Sequence, residues 1–361
     1  MVNPGTSMST PFVAAVYALV GEARKTLDSK HLRNVISATS QAKLWNDGTT
    51  VHNILAPVPQ QGAGLVQAFD AAKSTTILSV SGFSFNDTDH FVADHAFTIQ
   101  NTGVEAVTYA LGHAKAVTVY TFTPGTSTLQ ISRSPPPTIE EWAEIAFELA
   151  SVTVPAGASA EISFTAVPPT GINSTLLPVY SGYITLNSSS GENLSIPYLG
   201  VGGSMHNTPV LRSGTDGLGG VYLSSTRDHF LIPVPANQTF TIPRPGAVGT
   251  AIFPKIVVIP TVGSTQVHVD LVAVGGNNGT NVTTSDWLAY RSLGQIPGTP
   301  LSYVQTTGYT YNFAGWLADR TVVPEGTYKF VVSAVRIFGD TTNPNDWDAI
   351  ESVPFVLKYF S

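Results

Sequence analysis

Cysteine is absent from the 361 residues. Disulfides and thiolate metal sites are thereby excluded, and the redox compartment is left open. Charge is scarce as well. Asp, Glu, Lys and Arg make up 11% of the chain, against about 25% in an average soluble protein. Ser, Thr, Asn and Gln must therefore supply the polar surface. The formal net charge is −7, spread without long runs. Such a balance offers no basic footprint for nucleic acid. No apolar stretch reaches about 18 residues, so no membrane span is expected. No basic stretch followed by an apolar run opens the chain, so no secretion signal is visible.

What is present is ample apolar material, 43% of residues, and a length that suggests two or three domains. Seven Asn-x-Ser/Thr sequons occur, at Asn86, Asn173, Asn187, Asn193, Asn237, Asn278 and Asn281. They point to a secreted glycoprotein with surface loops at those positions.

Three regions follow one another. Residues 1–74 carry helical signals. Phe12 to Val20 is apolar on every side, as in a helix buried on all faces. Arg24 and Lys25 suit its last turn, and Pro11 is tolerated at its start. A second helix is expected around His31–Ala38, and a third over Leu65–Ala72 after the turn Gly62-Ala63-Gly64. From residue 75 to 204 the period changes to two. Ala96–Gln100, Val107–Leu111, Val117–Phe122, Ala160–Phe164, Tyr183–Leu186 and Leu194–Tyr198 read as strands. Ala143–Leu149 has helical composition but strict alternation, and is read as a strand. Ser134 to Pro137 forms a stiff loop. Residues 205–361 form a second all-β region, with strands at Val221–Leu223, Lys255–Ile259, Val267–Val274, Thr327–Val335 and Val353–Tyr359. Gly214 to Gly220 reads as an exposed loop. The expected fold class is mainly β: two antiparallel β-sandwich domains behind an N-terminal helical segment.

One motif carries chemistry. In Gly5-Thr6-Ser7-Met8-Ser9-Thr10-Pro11 a serine precedes a fully apolar helix. A serine hydroxyl is a poor nucleophile until a base takes its proton. The helix N-terminus offers positive potential, and the Ser7 N–H can face a developing oxyanion. Gly5 allows close backbone approach to a substrate. The bland alternative is that Ser7 merely caps the N-terminus of helix 11–25.

This seven-residue string resembles the nucleophile segment of subtilisin-like serine proteases, the subtilases. Residues 1–73, with Gln61-Gly62-Ala63-Gly64-Leu65, resemble the closing helices of their α/β catalytic domain. Phe85-Asn86-Asp87-Thr88, Phe97 to Gly103, Thr108 to His113, Pro178 to Ile184 and Ile196 to Gly200 resemble the fibronectin type III-like domain that follows it in large secreted members. Gly326 to Phe330 and Phe338 to Asp340 resemble the terminal β-domain. The nearest subgroup is the minor extracellular, C5a-peptidase-like type. The resemblance implies Ser7 as nucleophile, Gly5, Thr6 and Ser7 as backbone contacts to substrate and oxyanion, and protein or peptide substrates outside the cell. It implies no cofactor and no metal.

The family places its Asp and His segments, and an oxyanion Asn, before the serine. Neither an Asp-Thr/Ser-Gly nor a His-Gly-Thr-x-Val string occurs here; none of the eight histidines is followed by Gly-Thr-x-Val. The chain is therefore expected to be a truncated protease, inactive alone, whose partner is the missing N-terminal catalytic half. Loss of the front of the gene would explain the absent triad and signal together. The competing expectation is a non-enzymatic β-sandwich binding or adhesion protein; it predicts a covered first helix, whereas the protease reading predicts an exposed one.

Weaker features are read blandly. Asp216 and Asp228 are scattered, and Asp340, Asp346 and Asp348 are read as a solvated turn rather than a calcium loop. Trp287, Trp316 and Trp347 are read as core aromatics rather than sugar platforms. Gly217 to Gly220 lacks the strand–helix context of a phosphate loop.

Overall fold

The computed structural model describes residues 5–214, 219–227, 232–247, 249–275, 288 and 290–360. The chain divides into two compact units, Met1–Ser204 and Met205–Ser361.

The first unit opens with α1 (Thr6–Arg24) and α2 (Ser29–Thr39), which Asp28 caps by accepting from the N–H groups of Lys30 and His31. Next come the hairpin β1 (Leu44–Asn46) and β2 (Val51–Leu55), the single turn α3 (Val58–Gln61), and α4 (Ala68–Lys73). Val16 and Val20 of α1 pack on Leu32, Val35 and Ile36 of α2 and on Ala71 of α4. Strands follow: β3 (Thr76–Leu78), β4 (Phe83–Ser84), β5 (Asp94–Asn101), β6 (Val107–Lys115), β7 (Thr118–Tyr120), β8 (Thr138–Ile139), β9 (Glu144–Phe147), β10 (Ser151–Val154), β11 (Ser159–Val167), β12 (Pro178–Ser188) and β13 (Asn193–Val201). One sheet runs β10-β6-β12-β13-β4 with β7 and β8 attached; the other runs β3-β5-β11-β9. Alternation sends Phe97 and Ile99 of β5, Ile162 and Phe164 of β11, and Ile184 and Leu186 of β12 into one core. The ambiguous segment 143–149 is indeed a strand, paired with β11.

The helical segment and the sandwich share cores. Val58 packs with Ala116 and Tyr183, and Trp45 and Ala56 pack with Val117. Polar ties reinforce them. Asn34 Nδ2 donates to Leu78 O at 3.0 Å, Ser37 Oγ to Ser81 O at 2.7 Å, and Tyr183 Oη to Gly62 O at 2.9 Å. The Val58 N–H donates to Ser181 Oγ at 3.0 Å. Glu192 accepts from the Thr75 N–H at 2.7 Å and from Ser74 Oγ at 3.1 Å. Arg24 of α1 donates twice to Ser74 O. Tyr183→Phe removes one of these ties while keeping the ring. It is expected to lower unfolding free energy by about 1 kcal/mol and to speed amide exchange in α3; unchanged exchange there would count against the coupling.

The second unit contains β14 (Gly220–Ser225), β15 (Gln238–Pro243), β16 (Pro254–Ile259), β17 (Ser264–Ala273), β18 (Ser292–Gln295), β19 (Leu301–Val304), β20 (Tyr309–Asn312), β21 (Gly326–Val335), β22 (Trp347–Glu351) and β23 (Phe355–Phe360). They form sheets β14-β16-β20 and β15-β23-β21-β17-β18, with β19 and β22 on the flanks. Phe313, Phe330 and Phe355 make its aromatic centre.

Several expectations are corrected. The sheets are not purely antiparallel: β4 pairs parallel with β13, and β15 with β23. The first helix starts at Thr6, so Pro11 lies inside it. That helix is not buried all round: Phe12 is 59% and Leu19 63% exposed. Gly214, Gly219 and Gly220 are buried, because Gly214 and Gly220 pair their backbones with Val221 and Ile259. The rest of that loop, with Asp216, lies outside the described residues, as do Asp228, His229 and Trp287. Trp347 is core, but Trp316 is half-exposed.

Burial also sets the pH range of stability. Desolvation holds His113 and His268 below the usual imidazole range. The unfolded chain takes up those protons first, near pH ~6.5. The stability these groups contribute is complete above that pH and is lost as pH falls below it. Burial pushes Tyr180 and Tyr359 up to about 12, so their contribution is lost as pH rises past ~10. Urea titrations from pH 5 to 11 should give a maximum between these limits; a monotonic dependence would contradict it.

Candidate active site

Gly5 is the N-cap of α1, with φ 139° and no side-chain cap bond. A non-glycine residue is strained at that angle, although a Cβ there would meet nothing within 4 Å. The glycine is therefore required by backbone conformation rather than by crowding. Ser7 stands in the first helical turn and is exposed. It does not cap the helix, so the bland alternative finds no bond to rest on. Its hydroxyl has no hydrogen-bond partner among the described residues. The Met8 and Ser9 N–H groups donate to Gly5 O at 3.0 and 3.2 Å. The Thr6 and Ser7 N–H groups precede the first intrahelical bond and have no partner among the described residues. Pro11 supplies no N–H to the Ser7 carbonyl. Thr10 Oγ1 donates to Thr6 O at 2.8 Å and tightens this turn.

Chemically, the turn offers a hydroxyl beside open N–H donors at the positive end of a 19-residue helix. It lacks a base. The described histidines are engaged elsewhere or stand apart. His52 Nε2 lies 2.8 Å from Asp47 and stacks on Trp45. His90 Nδ1 lies 2.7 Å from Asp87, and His206 Nε2 lies 3.1 Å from Asp346. His113 Nε2 lies 2.6 Å from Tyr198 Oη. His95 is wedged among Phe83, Phe85 and Phe164, and His268 contacts Gln295 and Trp347. His31 is exposed on α2. None of these hydrogen-bonds Ser7.

The other candidates resolve locally. Asp340 accepts from the Thr342 N–H at 2.8 Å, and Asp346 from the Asp340 N–H at 2.9 Å. These backbone bonds hold both carboxyls below their usual range. Asp348 pairs with Arg336 at 2.9 Å. Among the described residues, no three His, Asp or Glu side chains gather as a metal site. Asn86, Asn173, Asn187, Asn193 and Asn237 are all exposed. Asn187 and Asn193 nevertheless sit on strands β12 and β13, not in loops. Asn278 and Asn281 lie outside the described residues. Sequence reasoning missed Glu192 and the Tyr183 hydroxyl, whose partners are more than 100 positions away.

Comparison with known proteins finds two family matches in the first unit. Residues 3–69 match the subtilase family, and residues 83–199 match an Fn3-like domain. The chain is 26% identical over 261 residues to the PI-type proteinase of Lactococcus lactis subsp. cremoris, covering 65% of this chain and 13% of that protein. It is 26% identical over 259 residues to the PII-type proteinase of Lacticaseibacillus paracasei, covering 65% of this chain and 13% of the relative. The chain thus spans about one-eighth of the length of these relatives. Among solved structures, PapD-like domain 7 of human CEP192 aligns with a TM-score of 0.23 and 11% identity, over 36% of this chain and 84% of that one. A segment similar to the subtilase family is thus followed, within the first unit, by a region similar to an Fn3-like domain.

Proposed function

We propose that this chain supplies the nucleophile segment and β-domains of a secreted serine endopeptidase that cleaves extracellular proteins, and that it is silent alone. Ser7 Oγ attacks the scissile carbonyl and forms an acyl-enzyme; its proton passes to a histidine and then to the leaving amine. Water hydrolyses the ester and restores the hydroxyl. The Ser7 N–H stabilises the oxyanion from the helix terminus. The histidine and its aspartate come from a catalytic half that is the partner of this chain. The carrying observation is Ser7 in the first turn of α1, without a hydroxyl partner among the described residues, behind a glycine at φ 139°.

The open face of α1 also supports this reading. Met8, Phe12 and Leu19 are exposed at helical spacing, where an adhesion protein would cover them. Exposed sequon asparagines support a secretory route that adds N-linked glycans. No described helix is long and apolar enough to cross a membrane. The test is hydrolysis of fluorogenic peptides. The chain and its Ser7→Ala variant should share one background rate. Joined to a segment bearing the Asp and His motifs, the chain should show Ser7-dependent turnover; none would sink the assignment.

A further inference from the structure

Two sequons, Asn187-Ser188-Ser189 and Asn193-Leu194-Ser195, meet at one hairpin. Asn187 and Asn193 are direct cross-strand partners, which places their Cβ atoms about 5 Å apart on the same face. The two-residue period along β12 identifies that face. It also carries Ser181 and Tyr183, which bind Val58 and Gly62 of the subtilase segment. Both asparagines are exposed. Only Asn193 lines the cleft of about 310 Å³ beside them, whose walls include Gln41, Asp70, Lys73, Ser190 and Gly191. Asp70 and Lys73 belong to no ion pair among the described residues. The cleft holds on the order of ten waters, more than a single amino-sugar ring displaces.

Resting on the secretory reading above, we propose that Asn193, and not Asn187, carries an N-linked glycan whose first N-acetylhexosamine seats in this cleft. In its formation the Asn193 Nδ2 bonds to C1 of a lipid-pyrophosphate-linked sugar. The C1–O bond breaks, lipid pyrophosphate leaves, and the amide proton passes to a base of the transferase. The seated sugar finds an acceptor in the Asp70 carboxylate and a donor in the Lys73 ammonium. A second glycan on Asn187, whose Cβ is about 5 Å away on the same face, would crowd the first, so the pair takes one. The sugar then bridges the β12–β13 turn and α4, joining the Fn3-like domain to the subtilase segment.

The test is glycopeptide mapping of the full chain secreted from a eukaryotic host, with native-state release by a peptide N-glycosidase. Asn193 should be occupied and Asn187 bare. Asn187→Gln should leave the mass of attached glycan unchanged. Release from Asn193 should run about tenfold slower than from Asn237, since the sugar must first leave the cleft. Occupancy at Asn187, a bare Asn193, or equal release rates would overturn the proposal. If glycans then remain at Asn86, Asn173 or Asn237, the secretory reading survives. A chain bare throughout would remove both.

Discussion

Ser7 is expected to react with a fluorophosphonate probe at least about 10⁴-fold more slowly in this chain than the serine of a complete triad. The reason lies in proton bookkeeping. The probe traps a serine oxygen only as its proton departs, and an unassisted hydroxyl holds that proton tightly at pH 7. The hydroxyl of Ser7 has no partner among the described residues, and His52, His90, His113 and His206 hold theirs elsewhere. What the turn does provide, open N–H groups and the helix field, acts on the oxyanion after attack rather than on the proton before it. Residual oxyanion stabilisation is worth something, but it does not replace the base. Intact-mass spectrometry after incubation with the probe decides the matter. An unlabelled chain is the expected result. Stoichiometric labelling that Ser7→Ala abolishes would mean that a base reaches this serine in solution.

How far the sequence displayed this arrangement depends on the range of each interaction. Strands such as 96–100 and 160–164 were legible because one apolar face writes a two-residue period locally. The helix that follows Gly5 is legible for a similar reason, since its apolar run is written in consecutive residues. The hairpin of β1 and β2 writes no such period, although Asp47-Gly48 sits at its turn. There Asp47 Oδ1 accepts from the Thr49 and Thr50 N–H groups at 2.8 Å each, a signature of turn chemistry. Its strands are too short for alternation to register. The all-round burial expected of α1 failed for a different reason. Apolar composition states what a helix can bury, whereas the neighbours present decide what it does bury: α2 and α4 cover only the Val16 and Val20 side. The sequons on strands show the same limit, because a hairpin end exposes its asparagines as fully as a loop does. Ties such as Tyr183 to Gly62 leave no local trace, since nothing near either residue announces the other.

Asn101→Ala is expected to cost about 3–5 kcal/mol, and Asn101→Asp more at pH 7. Asn101 ends β5 and is fully buried. Its Nδ2 donates to the carbonyls of Glu105 at 2.7 Å, Val154 at 3.0 Å and Pro155 at 3.2 Å. Its Oδ1 accepts from the Gly103 N–H at 2.9 Å. One side chain thus closes the Asn101-Thr102-Gly103 turn and ties it to the end of β10. Alanine leaves these buried groups without their partner, at about 1–3 kcal/mol for each group that water cannot reach. Aspartate keeps the shape and the acceptor, but turns a carboxylate oxygen toward three carbonyls. The folded state then disfavours the charged form, so the pKa of the new carboxyl rises above its unfolded value near ~3.9. A group shifted in that sense is least harmful below the unfolded pKa and becomes costly as pH rises through the folded one. Urea titrations should therefore find Asn101→Asp closest to the parent chain near pH 4 and furthest from it at pH 7, while the Asn101→Ala deficit stays constant. A pH-independent deficit for aspartate would show that the turn opens to water, and that the three carbonyls do not depend on this amide.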